Sequence, residues 1–567
     1  MTFRMSATCL ITLLLAAACS KPAERPDELP ADQEPAELLA PPVHVKLLAF
    51  NDLHGHITGP SGSVSVKGNK LEAGGLDFLA ARIQGIRSLH SNTLVVTAGD
   101  MIGASPLLSA LFHDEPTIES LNATGLDIAA VGNHEFDEGV DELRRMKSGG
   151  CHPKDGCQDG DDFKGAEFPL LAANVTVDAT GETLFDATIV KEFEGVKVGF
   201  IGLTLEGTSE IVSPDGVRGL TFQDEVDTIN AVVPKLQEQG VETIIVLIHE
   251  GGAPTAAVAD VNDCPGVSGP IVDIVSNTSE AVDVFVTGHT HQAYICEMSG
   301  KLVTAAKSYS RVLTEIDLMI DRKSGDVVSR KAQNHVITRD GEAHSDVAEI
   351  VKKYSELSAP LANTRVGAIS SEITRKVNDD LESPLGRLIA DIQLDATKSA
   401  ERGNAKIAFM NGGGIRDSLF LKASGDEGDG IVTYSEAYSV QPFGNSLVTM
   451  SLTGQQIHDL LELQWKQKRV RLLQVSAGFS YEWSETAAVG DKVDPKSIKL
   501  ANKPIELDGE YRVTVNSFLA TGGDGFTLLA SGTKRIGGPV DLEAFVDYFE
   551  GRKPVAPPTD RRIRKVK

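Results

Sequence analysis

The chain has 567 residues, 41% of them hydrophobic and 24% charged, with two tryptophans. This composition is globular and excludes a disordered, fibrous or multi-pass membrane chain, and the length suggests two domains. Acidic residues outnumber basic ones 80 to 54, a net charge of -26; that field argues against nucleic-acid duplexes as partners, and a small phosphorylated substrate would need a local cationic site that metal ions can supply.

In chain order, residues 1–18 read as a signal peptide: one charge at Arg4, an apolar run from Cys9 to Leu15, then small residues. The run is too short to be a comfortable spanning helix. Ala16-Ala17-Ala18-Cys19 resembles a bacterial lipobox, which makes Cys19 the lipidated first residue of the mature chain and a lipid anchor to the membrane. Ordinary cleavage after Ala18 is the alternative, with the same cleavage site. Residues 19–43, rich in Pro, Glu and Ala, read as an extended tether. The expected location is outside the cytoplasm, in the periplasm or anchored to an outer membrane as a lipoprotein.

From Val45 onward short apolar runs (VKLLAF, TLVVTAGD, VKVGFIGLT, VETIIVLIHEG, VDVFVTGHTH) alternate with helical stretches. They are continuous instead of alternating, as strands covered on both faces are. The predicted fold class is α/β: a layered-sheet domain over 44–340, a connector helix over 341–364, and a second α/β domain over 365–550 with strands KIAFMN and YRVTVNSFL and a helix in SPLGRLIADIQLDATK. Residues 551–567, ending in the basic DRRIRKVK, read as a solvated tail. With Cys9 and Cys19 set aside, four cysteines remain, and in an exported protein an even remainder suggests disulfides. Cys151 and Cys157 enclose a short polar loop and are expected to pair, leaving Cys264 with Cys296; the rival is a metal site, for which only His152 lies near.

Five motifs stand in order: NDLHGH (51–56), GD (99–100), GNHEFD (132–137), IHEG (248–251) and GHTH (288–291). Hydrolysing a phosphoester at neutral pH needs an activated water, neutralised phosphoryl oxygens and in-line geometry, which two metals about 3.5–4 Å apart supply. The candidate ligands are Asp52, His54, Asp100, Asn133, His249, His289 and His291, with Asp100 as the bridge; such a mixed imidazole and oxygen shell suits Zn, Mn, Fe or Co more than Ca or Mg. If Asp52 and His54 lie on a strand end, their spacing of two sends both to one side. Packing alone gives no reason for six of the thirteen histidines to fall in these motifs. His134 follows Asn133 and is not needed as a ligand, so it points at the substrate, and Asp137 would hold it protonated. Alternatively, Asp137 caps a helix through EGVDELRRM.

These motifs resemble the calcineurin-like metallophosphoesterase signature, and with the second domain the chain resembles the secreted 5′-nucleotidase and UDP-sugar hydrolase family over about 44–550. The resemblance implies a β-sandwich with flanking helices followed by a substrate-binding domain. It implies that Asp52, His54, Asp100 and His291 hold one metal, that Asp100, Asn133, His249 and His289 hold the other, and that His134 and Asp137 form the catalytic dyad. NGGGIRD (411–417) is similar to the segment that brings Asn411 and Arg416 to the phosphate and ribose. QPFGN and NSFLATGGDGF resemble the segments whose rings, here Phe443 and Phe518, sandwich the base, with Asp524 on the ribose.

One departure stands out. Where the family carries further arginines before the N-x-G-x-L helix start, this chain has Asp379, Asp380 and Glu382, with Arg375 and Lys376 as the substitutes. The implied activity is removal of the 5′-phosphate from nucleotides. The alternatives on the same site are 2′,3′-cyclic-nucleotide phosphodiesterase, UDP-sugar pyrophosphatase and thiosulfate-ester hydrolase; the non-enzyme alternative is a nucleoside-binding surface lipoprotein.

Overall fold

The computed structural model describes residues 40–59, 63–256, 260–466 and 470–566. The expected signal peptide, the lipidation site Cys19 and the tether up to residue 39 lie outside the described residues. No helix among the described residues is long and apolar enough to cross a membrane.

The N-terminal part is built on two six-stranded sheets. In the first, Val43–Phe50, Thr93–Thr97, Ile128–Ala130 and Leu170–Leu171 run parallel, and Val312–Ile320 and Val327–Val336 extend it antiparallel. In the second, Val196–Leu203, Thr243–Ile248, Val282–Thr287 and Lys301–Ala306 run parallel between antiparallel edges Thr188–Phe193 and Ala293–Met298. The sheets face each other through one core containing Val45, Leu47, Val96, Phe200, Leu247 and Val286. On their outer faces they carry helices, among them Leu76–Arg87 and Glu115–Thr124 on one side and Glu225–Gln237 and Pro270–Asn277 on the other. That is why TLVVT and TIIVLI are buried at every residue: neither face of these strands meets water.

The helix Ser345–Ala362 lies on the first sheet's helical layer. Tyr354 is buried edge-on to Phe112, with ring centroids 4.8 Å apart, and its hydroxyl donates to Asp159 (2.8 Å) and Glu119 (3.1 Å). The C-terminal part has a five-stranded sheet, ordered Leu473–Val475, Ile407–Asn411, Glu510–Asn516, Ser446–Thr453, Thr533–Val540, and a four-stranded sheet. The helix Pro384–Thr397 begins where Ser383 Oγ accepts from the Gly386 N–H at 2.9 Å, with Pro384 at the first turn. Leu385, Leu388, Ile389 and Ile392 then share one buried face.

Both disulfides form as expected, Cys151 with Cys157 and Cys264 with Cys296, with Cα separations of 4.7 and 5.4 Å. The basic C-terminus, by contrast, is not a solvated end. Ile563–Val566 is a strand parallel to Phe479–Ser484, and Ile563 is fully buried. Arg562 donates to Asp391 at 2.7 and 2.8 Å, and Arg561 pairs with Asp380 at 2.5 Å. Glu382 accepts from the Arg562 N–H at 3.1 Å. Distant carboxylates thus neutralise the basic run, and Asp380 and Glu382 serve this strand instead of standing in for phosphate-binding cations.

Candidate metal and substrate site

The five motifs sit just past the C-terminal ends of parallel strands: Asp52 and His54 after Val43–Phe50, Asp100 after Thr93–Thr97, Asn133 and His134 after Ile128–Ala130, His249 after Thr243–Ile248, and His289 and His291 after Val282–Thr287. Loops at these ends converge on a shared cleft in α/β folds. The orientation of Asp52 and His54, however, does not come from strand alternation. Asp52 (φ 51°), His54 (47°), Asp100 (51°), His289 (65°) and His291 (54°) all have left-handed backbone, which turns each side chain inward. Non-glycine residues rarely adopt it, and such outliers concentrate at functional sites. Two glycines allow the loops to touch. A Cβ on Gly99 would meet the Gly132 nitrogen at 2.6 Å, and one on Gly132 would meet Asp100 Oδ1 at 2.2 Å.

Asp100 is central. Its Oδ2 lies 2.9 Å from His249 Nε2 and 3.5 Å from His54 Nε2, while Oδ1 accepts from the His134 N–H at 2.9 Å. His291 Nε2 lies 3.4 Å from Asp52 Oδ1 and 3.1 Å from His54 Nε2, and His289 Nδ1 lies 3.0 Å from Asn133 Oδ1. All seven expected ligands therefore come together, in overlapping groups around Asp52 and around Asp100.

The donor set fits metals on one further observation. His54 Nδ1 faces the Gly103 carbonyl at 2.9 Å and His249 Nδ1 faces the Ala98 carbonyl at 2.7 Å, so each ring can donate there and aim Nε2 at the cluster; against the opposing effect of burial, Asp100 holds the metal-free His249 up at about 10, a proton that a bound metal would displace. Metal-binding imidazoles are oriented in this way. Burial pushes His54 well below 6.5, which favours the neutral ligand form, and lowers His291 as well. Burial opposes charge on Asp100, yet His249 and His134 hold its carboxyl well below the usual range.

His134 Nδ1 is bonded to Asp137 Oδ2 at 2.8 Å. Burial disfavours the imidazolium, but Asp137 and Asp100 outweigh it and raise the pKa above 6.5. Asp137 is not a helix cap: the helix Val140–Ser148 starts behind Gly139 with no side-chain cap.

The other wall is C-terminal. Residues from Pro42 onward belong to one compact unit, and a cavity of about 560 Å³ is lined by Asn133, His134, Asp137 and His289 on one side and Asn411, Arg416, Phe443, Phe518 and Asp524 on the other. The Phe443 ring is near-parallel to His134 with centroids 5.9 Å apart, and the Arg416 guanidinium sits 5.9 Å from the Phe443 centroid. Asn411 donates to Asp524 at 2.8 Å, Asn516 donates to Asn411 at 3.0 Å, and Arg471 forms an ion pair with Asp524. Arg375, the expected substitute cation, donates to the Arg416 carbonyl but does not line the cavity.

Three residues escape the sequence reading. Glu135 is buried and accepts from the N–H groups of Asp100 (3.0 Å), Met101 (2.6 Å) and Gly132 (2.6 Å), bracing two ligand loops against each other; burial and then Asp100 push its pKa up to about 7. Its place inside GNHEFD is the only signal. Tyr309 packs against His56, with ring centroids 4.0 Å apart and planes tilted by 35°, and borders His54 and His291. Arg471, on Asp524, carries no motif.

Comparison with known proteins agrees with this architecture. The calcineurin-like phosphoesterase model matches residues 45–293 and the 5′-nucleotidase C-terminal domain model matches residues 360–531. The protein is a calcineurin-like metallophosphoesterase by class. With both domains present in this order, it belongs to the 5′-nucleotidase family.

A 5′-nucleotidase precursor from Thermus thermophilus superposes with a TM-score of 0.75 and 27% identity, over 92% of this chain and 99% of that one. Endonuclease YhcR of Bacillus subtilis is 33% identical over 93% of this chain but 41% of its own length, so the chain spans under half of that relative. Cell wall protein Lmo0130 of Listeria monocytogenes is 29% identical over 91% of this chain and 68% of that protein.

Proposed function

We propose that the protein is a two-metal hydrolase that removes the 5′-phosphate from nucleotides outside the cytoplasm, releasing nucleoside and phosphate. The observation that carries this is the shared cavity: the His134–Asp137 pair and the ring of Phe443 face the same space. Asp52, His54, Asp100 and His291 would hold one divalent ion, and Asp100, Asn133, His249 and His289 the other. When bound, the pair, drawn from zinc, manganese, cobalt or iron, supplies positive charge to the phosphoryl oxygens and activates the attacking water.

The chain's own residues do the rest. Asp137 fixes His134 through Nδ1, so the remaining nitrogen, Nε2, carries a proton to the leaving 5′-oxygen. Phe443 and Phe518 take the base between them, a contact that tolerates any flat ring. Asn411 and Asp524 hold the ribose, and Arg416 adds positive charge to the phosphate. In this reading residues 44–340 carry the metals, the helix over 341–364 joins the domains, and residues 365–550 select the substrate.

Two disulfides and the likeness to a cell wall protein support an oxidising compartment outside the cytoplasm. Cys19 is the proposed lipid attachment point, and mass spectrometry of the membrane fraction checks it. The function is tested on a substrate panel with Mn²⁺, Zn²⁺ or Co²⁺ and metal analysis of the same sample, following inorganic phosphate from nucleoside monophosphates, the ring-opened monophosphate from 2′,3′-cyclic nucleotides, UMP and sugar phosphate from UDP-sugars, and sulfate from thiosulfate esters. Turnover of AMP or another nucleoside monophosphate is expected; failure on every one overturns the reading.

A further inference from the structure

A second group of metal-type side chains stands beside the cleft. His113, Glu138, Glu142 and His152 each offer one ligand atom, all within 4.8 Å of one another. They come from three segments. His113 lies in a left-handed turn (φ 52°) ahead of the helix Glu115–Thr124. Glu138 and Glu142 flank the start of the helix Val140–Ser148, and His152 lies in the loop closed by Cys151–Cys157.

The group brings two imidazoles and their carboxylate partners into direct contact. The two imidazoles stack with centroids 3.7 Å apart and planes 15° apart. His113 Nδ1 lies 2.9 Å from Glu138 Oε2, and its Nε2 lies 2.9 Å from Asp155 Oδ2. Glu142 is already matched by Arg145, with contacts from 2.6 to 3.0 Å. Without a cation, a single proton on His113, bonded on one side to Glu138 and on the other to Asp155, supplies the counter-charge, and these carboxylates raise its pKa to about 9; a divalent cation would take that proton's place beside Glu138. Two imidazoles with two carboxylates are a zinc-type donor set, and the 2.9 Å nitrogen–oxygen spacing approaches the edge of about 3.3 Å that a tetrahedron with 2.0 Å bonds requires.

We propose that His113, Glu138, Glu142 and His152 form a third divalent-cation site, of the zinc class, separate from the pair around Asp100. Asp155 serves as the outer partner that orients His113. The site clamps the wall behind the catalytic dyad. Glu138 follows Asp137 directly; Asp114, next to His113, accepts from the Gly103 N–H at 3.0 Å, and Gly103 in turn supplies the carbonyl that orients His54. Binding there fastens the disulfide loop to both the dyad and the first ligand loop.

The test is zinc content per chain of the full protein, by elemental mass spectrometry after zinc loading and exhaustive dialysis, compared between wild type and His113→Ala/His152→Ala. The double variant is expected to hold one equivalent fewer and to lose part of the zinc-induced rise in Tm. Equal zinc content in the two proteins overturns the proposal. Should the double variant misfold, Glu138→Gln alters one exposed carboxylate only. Competition with a chelator is expected to show one equivalent weakened at least tenfold, and unchanged affinity for every equivalent overturns the site. In Asp100→Asn this equivalent is expected to persist, so the count decides the clamp whether or not the protein hydrolyses AMP.

Discussion

Asp137→Asn probes how the dyad works. The His134 Nδ1 to Asp137 Oδ2 bond is 2.8 Å long, with side-chain exposures of only 14% and 20%. Asparagine preserves the size and one acceptor but removes the charge. The loss is the difference between a charge-assisted and a neutral hydrogen bond, about 1–2 kcal/mol, or roughly 5- to 30-fold in kcat/KM. His134→Ala deletes the proton donor itself and should cost about 10²- to 10⁴-fold. The assay compares AMP with p-nitrophenyl phosphate at saturating Mn²⁺. The p-nitrophenolate leaves readily without a proton, so His134→Ala should lose far more activity on AMP than on the aryl ester, and Asp137→Asn should follow the same pattern at smaller size. Equal losses on both substrates would refute proton donation in favour of charge stabilisation, and undiminished AMP hydrolysis by His134→Ala would remove the residue from the mechanism.

Phe443→Ala should raise KM for AMP roughly 5- to 150-fold, from about 1–3 kcal/mol of stacking, with kcat less affected; an unchanged KM in steady-state assays removes Phe443 from the base clamp. His54→Gly and His54→Ala both delete an imidazole, but only glycine accepts φ of 47° without strain. In metal-free thermal melts the Gly variant should be the more stable by about 1 kcal/mol, and equal midpoints would contradict stored backbone strain. Asp283 is largely buried, with 17% of its side chain exposed, accepts from the Ile244 N–H at 3.0 Å, and is pushed by burial from 3.8 up to about 6. Its folded value lies above the unfolded one, so its stabilising contribution is full below pH 4 and is lost as pH rises through 6. Asp283→Asn keeps an acceptor and should gain on wild type between pH 4 and 7, by up to about 3 kcal/mol in denaturant titrations. A pH-independent difference would refute this.

The ligand set is legible because the chemistry dictates residue identity. Only a few side chains bind such metals, and they stand at the ends of apolar runs that declare themselves as buried strands. What a spacing rule cannot supply is the reason for their direction. Asp52 and His54 converge through left-handed turns beyond the strand, a property of the loop and not of the interval between them. Glu135 is hidden for a related reason: its role as acceptor for Asp100, Met101 and Gly132 exists only once two loops meet. The C-terminal tail misleads because its composition is that of a solvated end, while the carboxylates that let it pair, Asp380 and Asp391, lie more than 160 residues earlier. Local pattern carries no information about such a partner.

The same loops explain how the centre is held before any metal arrives. Left-handed backbone at non-glycine residues costs about 1–2 kcal/mol each, and five candidate ligands carry it. The compensation is a lattice of bonds between loops. The Asp52 N–H donates to the Gly99 carbonyl at 3.1 Å, that of His54 to Asp100 at 2.9 Å, that of Gly55 to Met101 at 3.0 Å, and that of His289 to the Asp52 carboxylate at 3.0 Å. Asp52, His54 and His289 are thus fixed by neighbouring loops that follow buried strands, and Asp100 by the Glu135 carboxylate, so the sandwich core carries much of the strain. The elements that would choose a substrate, Phe443, Phe518, Asn411 and Asp524, depend instead on the C-terminal sheet and on Arg471. Changes in that sheet can therefore alter which phosphoester is held without disturbing the ligand loops.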